Sequence, residues 1–193
     1  MNFARLFPAL FVAASVWLSA GSALAADTYE IDGAHSQVIF KVKHLGVSYQ
    51  YGRFNDISGQ VVYDEKNPAK SSVEISIKAQ SADTANEKRD THLKGPDFFN
   101  AAQFPLLTFK SKSVKKTQEN AFEVTGDLTV KGVTKPLTFN FTRTGAGPDP
   151  WGKYRSGGEA AFAIRRSDFG ITYMPDALGD EVQLLLTFEG VRK

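Results

Sequence analysis

The chain has 193 residues, with 23 lysines and arginines, 21 acidic side chains and no cysteine. The absence of cysteine excludes disulfides, a thiol nucleophile and thiolate metal sites. Basic residues are interleaved with acidic ones and form no basic stripe, so the composition does not indicate nucleic-acid binding.

The first 25 residues have the pattern of a secretory signal. Arg5 precedes an apolar run from Leu6 to Leu18, and small residues follow as far as Ala23-Leu24-Ala25, which is the order found in cleavable signal peptides. The run is shorter than the roughly 20 residues that a membrane-spanning helix needs. We therefore predict a signal peptide at residues 1–25, cleavage near Ala25, export, and one domain at residues 26–193.

The first part of that domain alternates between apolar and polar residues, which is typical of strands with one buried face. Strands are predicted over Gln37 to His44, Tyr51 to Tyr63 and Ser72 to Gln80. The apolar faces are those of Val38, Phe40, Val42 and His44 in the first strand and of Val73, Ile75, Ile77 and Ala79 in the third.

The alternation stops between Thr84 and Phe109. Thr84 and Glu87 have the spacing of a capping box, and Gly95-Pro96 would end the helix. This helix is polar on nearly every side and too short to persist alone in water. Burial of the phenylalanines that follow, at roughly 1.5 to 3 kcal/mol each, would pin it; they are Phe98, Phe99, Phe104 and Phe109. We predict that the segment is a lid over the mouth of a β-structure.

The predicted lid also carries cations beside its aromatic side chains. They are Lys88, Arg89, His92 and Lys94. Cations next to an aromatic entrance suit an amphiphile whose tail is buried and whose head is polar or anionic. A solvated helix face is the alternative interpretation.

Alternation resumes after the lid. Strands are predicted over Leu106 to Lys115, Ala121 to Val130, Val133 to Arg143, Tyr154 to Arg165 and Val182 to Gly190, with Gly145 to Gly152 as a surface loop. About eight antiparallel strands predict a sandwich or a closed barrel, and an eight-stranded barrel either packs solid or holds one small ligand. Small residues favour a cavity or, equally, a tight strand crossing; they are Gly157, Gly158, Ala160, Ala161 and Ala163.

The three histidines, His35, His44 and His92, lack the spacing of a zinc site, and we predict no metal. His44 shares a face with Phe40 and Val42, so it is either a hydrogen-bonded core histidine or a polar group at a cavity rim. The chain has no nucleophile elbow, phosphate-binding loop or dinucleotide fingerprint. We therefore predict no catalytic residue and no cofactor. An enzyme acting on a lipid head group, with His44 or His92 as base, is the alternative.

Several short motifs follow one another along the chain. They are His35-Ser36-Gln37-Val38-Ile39-Phe40, Lys43-His44-Leu45-Gly46, Gly52-Arg53-Phe54, Arg89-Asp90-Thr91-His92-Leu93, Phe104-Pro105-Leu106-Leu107-Thr108-Phe109, Val124-Thr125-Gly126-Asp127-Leu128-Thr129-Val130 and Gly132-Val133-Thr134-Lys135-Pro136. In this order and spacing they resemble the YceI family of bacterial secreted proteins. The resemblance implies an all-β, extended eight-stranded antiparallel lipocalin-like barrel, with one short helix and a loop covering an end. It also implies a periplasmic address.

The same resemblance implies a ligand, a polyisoprenoid, an isoprenoid quinone or a similar long-chain lipid, held in an apolar pore for transport, storage or sequestration. The side chains expected to contact it are Phe40, Val42, His44, Phe54, Ile75, Ile77, Arg89, His92, Leu93, Phe98, Phe99, Phe104, Phe109, Leu128, Phe139, Phe141, Phe162, Ile164, Leu186 and Phe188. Transient contact with a membrane or a membrane protein is expected, and the oligomeric state is left open.

A small outer-membrane β-barrel is the second alternative, because eight amphipathic strands in a short chain also predict that class. A membrane barrel would turn apolar residues outward and has no need of a charged helix followed by a phenylalanine cluster. The sequence therefore favours an apolar interior.

Overall fold

The computed structural model describes residues 26–193, so the predicted signal peptide at residues 1–25 lies outside the described residues. The strands are β1 (Asp27–Ile31), β2 (Gln37–His44), β3 (Ser48–Phe54), β4 (Ile57–Tyr63), β5 (Ser72–Lys78), β6 (Ala82–Asp83), β7 (Leu106–Gln118), β8 (Ala121–Val130), β9 (Val133–Pro148), β10 (Tyr154–Arg165) and β11 (Leu178–Arg192). The α-helix is α1 (Glu87–Lys94). Within residues 26–193, no helical segment has the length and apolar character needed to cross a bilayer.

The strands form one closed antiparallel barrel of eight strand paths. Three of these paths are broken in the middle and consist of two strands each. The first path is β1 with β2, and both strands pair with β11. The second is β4 with β3, where β4 pairs with β1 and β3 pairs with β2. The third is β5 with β6, where β5 pairs with β4 and β6 pairs with β3. The other five paths are β7, β8, β9, β10 and β11, and β11 closes the ring. This confirms the predicted eight-stranded antiparallel barrel with one short helix.

Two of the breaks lie side by side at the middle of the barrel wall. Asn55 and Asp56 separate β3 from β4, and a 3-10 turn at Ala79–Ser81 separates β5 from β6. The two breaks bond to each other, because Asn55 N–H donates to Ser81 O at 3.1 Å and Lys78 N–H donates to Asp56 O at 3.0 Å. The prediction of one strand over Tyr51 to Tyr63 is therefore wrong at its centre, because Asn and Asp favour turns over strands. The predicted strand Ser72 to Gln80 ends early, at Lys78.

The predicted bounds of β2, β8 and β10 are confirmed, whereas β7, β9 and β11 extend beyond their predicted ends. The largest difference concerns Gly145 to Gly152, predicted as a surface loop. Here β9 continues to Pro148, with Gly145 paired to Gly157 and Pro148 paired to Tyr154. Glycine can join this ladder because strands pair through backbone groups, which glycine also has. Only the turn between Pro148 and Tyr154 remains outside the sheet.

Apolar side chains of the strands face inward. On β8, Phe122, Val124 and Val130 are buried, while Thr125 and Thr129 lie outside, where their hydroxyls bond to threonine hydroxyls of β9 at 2.8 Å. This orientation is the reverse of the one that the outer-membrane alternative requires.

The barrel has two different ends. We call one the helix end; it contains α1 and the loop after it, the β2–β3 hairpin at Leu45–Val47, the β8–β9 turn at Lys131–Gly132 and the β10–β11 loop. We call the other the far end; it contains the β4–β5, β7–β8 and β9–β10 connections.

Candidate functional site: an apolar barrel cavity

One continuous cavity of about 480 Å³ runs through the barrel. Tyr173 and Met174 line it at the helix end, Arg143 and Ser156 line it at the far end, and most of the wall between them is aliphatic or aromatic. Single-ligand pockets typically measure about 300 to 1,000 Å³. The arrangement therefore suits one elongated, mainly apolar molecule.

The side chains predicted to contact a ligand all line this cavity except Phe104. Phe104 is placed elsewhere: a Cβ added to Gly132 would lie 2.5 Å from its Cε1 atom, so the ring packs on the β8–β9 turn. The structure therefore does not place Phe104 on the cavity wall with the other predicted side chains. For all of these side chains, contact with a ligand stays a prediction.

Phenylalanine rings form much of the cavity wall. Phe139 stacks on Phe162 at a centroid distance of 4.9 Å and lies 5.4 Å from Phe109. Gly158 of β10 makes room for these rings, because a Cβ atom at this position would collide with the ring of Phe141. Close packing thus explains Gly158, while Phe162 and Ile164 of the same strand line the open cavity.

The segment before α1 differs from the predicted capping box. The helix begins at Glu87, and Asn86 caps it by accepting a hydrogen bond from Arg89 N–H at 3.0 Å. Thr84 instead binds the first turn from outside, since its N–H donates to Asp90 Oδ1 at 2.8 Å and its Oγ1 accepts from Arg89 Nε at 2.7 Å. The capping prediction for Thr84 is wrong because Ala85 takes a left-handed φ of 58° and turns the chain before the helix starts.

The predicted end of the helix at Gly95 is confirmed, with Gly95 N–H donating to His92 O at 3.0 Å. No side chain of α1 is buried, so the following loop provides the attachment. Phe99 meets Phe54 of the wall at 5.3 Å, edge to face. Phe98, His92 and Tyr173 pack on one another with centroid distances of 5.0 to 5.5 Å. The aromatic attachment of the helix is therefore as predicted.

The cations of the lid do not all reach the cavity. Arg89 and His92 line it, whereas Lys88 and Lys94 do not. Arg89 donates to Thr84 O at 2.9 Å, and His92 Nε2 lies 2.8 Å from Asp97 Oδ2. The predicted cationic entrance is thus limited to two groups that already have protein partners.

Arg166 is a cavity residue that the sequence analysis missed. It is buried, and its guanidinium donates to the carbonyls of Gly179, Ile171, Tyr173 and Leu178 at 2.8 to 3.0 Å. These bonds fix the β10–β11 loop at the mouth. The sequence does contain a signal for this position, because Arg166 continues the two-residue period that turns Phe162 and Ile164 inward.

Arg143 was missed in the same way at the far end. It follows Leu137, Phe139 and Phe141 on the inner face of β9 and lines the cavity. Its Nε donates to Ser156 Oγ at 3.2 Å, and its guanidinium carbon lies 5.3 Å from the ring centroid of Tyr63. Tyr29 also lines this end; its burial raises the pKa of its hydroxyl.

His35 lies outside the cavity, within an ion-pair network beside the break between β1 and β2. His35, Asp32 and Glu189 are the one group of potential metal ligands in residues 26–193. The Arg155 guanidinium takes the place that a metal ion would have between these side chains, because it donates to Asp32 at 2.7 Å and to Glu189 at 2.6 Å. It also donates to Asp149 at 2.8 Å. Its hydrogen bond to Asp32, with that of His35, lowers the pKa of the Asp32 carboxyl to about 2.

A closed eight-stranded antiparallel barrel around an apolar cavity is the architecture of small-ligand-binding β-barrels. A family model described as a YceI-like domain matches residues 29–190, and the chain belongs to this family. The resemblance drawn from the sequence motifs is therefore confirmed.

Relatives and solved structures agree with this assignment. A UPF0312 protein of Pseudomonas aeruginosa is 45% identical over 181 residues, which are 93% of this chain and 94% of the relative. The crystal structure of Burkholderia cenocepacia BcnA matches with a TM-score of 0.75 and 26% identity, over 82% of this chain and 98% of that one. A polyisoprenoid binding domain from Saccharophagus degradans shares the fold at a TM-score of 0.64 and 14% identity, over 86% of this chain and 98% of that one.

Proposed function

We propose that this protein is a secreted periplasmic binding protein that holds a long-chain isoprenoid-type lipid in its barrel, for transport, storage or sequestration and without chemical conversion. The observation that carries the proposal is the continuous cavity that extends from Met174 to Arg143 with an almost wholly apolar wall. The Saccharophagus degradans domain, described as polyisoprenoid-binding, supports it through the shared fold.

Energetics favour a long chain over a small ligand. Burial of a five-carbon isoprene unit contributes on the order of 3 to 4 kcal/mol at about 0.8 kcal/mol per carbon. Association costs roughly 4 to 15 kcal/mol. One unit would therefore bind weakly, whereas several units in a row reach useful affinity through the apolar wall alone.

Two adjacent leucines of β11 provide a matched test. Leu186 lines the cavity, and Leu185 is 40% exposed on the outer face. We expect Leu186→Trp to fill the cavity and to reduce polyprenol binding at least tenfold, while Leu185→Trp leaves it unchanged. Fluorescence or calorimetric titration measures the affinity, and mass spectrometry of organic extracts identifies the lipid that copurifies. Lipid-free preparations that also fail to bind polyprenols would contradict the proposal.

The periplasmic address rests on the signal pattern of residues 1–25. We expect the exported protein to begin at Ala26. Cell fractionation and N-terminal sequencing check this, with a variant carrying a charge inside the apolar run, Val12→Arg, as the export-deficient control. An intact N-terminus on cytoplasmic protein would overturn the address and leave the binding proposal standing.

A further inference from the structure

Arg143 has hydrogen-bonding capacity that the protein does not use. Within residues 26–193, the bond from Nε to Ser156 Oγ is the one hydrogen bond that its guanidinium makes. No carboxylate of the described chain forms an ion pair with it. The two terminal nitrogens, Nη1 and Nη2, therefore remain as free donors at the cavity wall.

Three other basic side chains that line the cavity already have protein partners, whereas the fourth, His44 at the helix end, makes no side-chain hydrogen bond within residues 26–193. Arg166 donates to four carbonyls, Arg89 binds Thr84, and His92 pairs with Asp97. Arg166, Arg89 and His92 thus hold protein structure together at the helix end, whereas Arg143 at the far end is the arginine of the cavity wall with both terminal nitrogens available for a ligand.

A guanidinium stays charged at any pH relevant to proteins, and a charge in an apolar site is stabilised by an anionic partner. Arginine binds phosphate or carboxylate oxygens through two parallel hydrogen bonds. Ser156 can add a third, because its Oγ accepts from Arg143 and keeps its own hydrogen to donate.

We infer that Arg143 and Ser156 form a head-group subsite for an acidic oxygen group, a lipid phosphate or carboxylate, at the far end of the cavity. The inference rests on the proposed lipid-binding function and deepens it. It places the lipid head at Arg143 and the tail toward Tyr173 and Met174, which is opposite to the orientation expected from the cations of the lid.

The test compares a polyprenyl monophosphate with the polyprenol of equal length, titrated into residues 26–193. For Arg143→Met we expect at least a tenfold loss of affinity for the phosphate and less than a twofold change for the alcohol, with Arg143→Lys intermediate. Arg165→Met, outside the cavity, is the control, and Arg89→Met tests the helix end. A photoreactive group at the tail end of the lipid should crosslink to Tyr173 or Met174.

Each other outcome has a defined meaning. Equal loss for both lipids, no loss, loss confined to Arg89→Met, or crosslinks at the far end would overturn the subsite while lipid binding stands. Competition by inorganic phosphate alone would indicate a free-anion site and overturn the lipid head group. If the unaltered protein binds neither lipid, the proposed function fails, and the subsite fails with it.

Discussion

At the far end the β7–β8 and β9–β10 ladders continue into short turns, whereas at the helix end the wall between β3 and β7 is completed by α1 and its loop. The β9–β10 ladder reaches Pro148 and Tyr154 beside the far-end turn. At the helix end β6 has two residues and does not pair with β7, and α1 buries no side chain. Because local stability follows the density of buried contacts, we expect ligand exchange at the helix end and a fixed anchor at the far end.

The largest expected effect concerns the mouth. Arg166→Met leaves four carbonyls without their donor, and loss of hydrogen bonds to a buried charge costs about 3 kcal/mol or more. We expect urea unfolding to show that loss of stability, together with release of the β10–β11 loop in hydrogen exchange. Arg165→Met, on the exposed outer face, should stay within about 0.5 kcal/mol of the unaltered protein. Equal effects of the two substitutions would show that the loop is held by other contacts.

The lid provides the second test. Phe98 and Phe99 are partly buried against the core, so the double substitution to Ala should cost about 2 to 4 kcal/mol locally. We expect the β circular-dichroism signal to remain, amide protection to fall selectively between Asn86 and Gly95, and bound lipid to leave faster. Leu106→Ala, at a side chain 44% exposed, is the control. Protection lost equally in every strand would indicate ordinary core rather than a gate.

Acid should weaken the Arg155 network outside the barrel. The pKa of Asp32 is about 2 in the folded protein, below its ordinary value of 3.8, because Arg155 and His35 bond to the carboxylate. This stabilisation is present above about pH 4 and is lost as pH falls toward 2. Allowing for solvent screening, Asp32→Asn should cost about 1 kcal/mol at pH 7 and almost nothing at pH 2.

Urea unfolding of both proteins at several pH values isolates the Asp32 contribution. The comparison is needed because hydrogen bonds also lower the pKa of Asp83, Asp149 and Asp180, so acid destabilises the unaltered protein at several places. A difference between the two proteins that is the same at pH 2 and pH 7 would argue against an ionic role for Asp32.

The smallest effect is expected at Lys88, which is exposed on α1 and does not line the cavity. Lys88→Ala should change the affinity for polyprenyl phosphate and polyprenol by less than twofold in titrations at low and high salt. A loss specific to the phosphate, reduced by salt, would restore the cationic lid as the head-group site.

Regular alternation explains why most of the cavity wall could be predicted from the sequence. In β2 or β9 a two-residue period assigns every side chain to one face, so Phe40 and Phe139 were placed inside. Phe104 lies in a loop, where no period assigns a face. Thr84 and Asn86 are both acceptable helix caps, and the choice depends on the left-handed turn at Ala85. Arg143 and Arg166 continue the inward period, but burial of a charge is usually unfavourable, so the period alone did not identify them as cavity residues.

The shortness of β6 affects more than the entrance. Beyond Arg53 and Phe54, no strand of the described chain pairs with the outer edge of β3, and Thr84 covers it at Gly52. An unpaired strand edge can template pairing with a strand of another chain, and lysines near the edge oppose such pairing. Lys41 is such a lysine, because its Nζ atom lies 4.0 Å from the ring centroid of Tyr49 on β3. We expect a lid movement that admits a ligand to uncover this edge as well, so that loading and self-association depend on one conformational change. The rate of aggregation of the empty protein should therefore rise with the rate of lipid exchange.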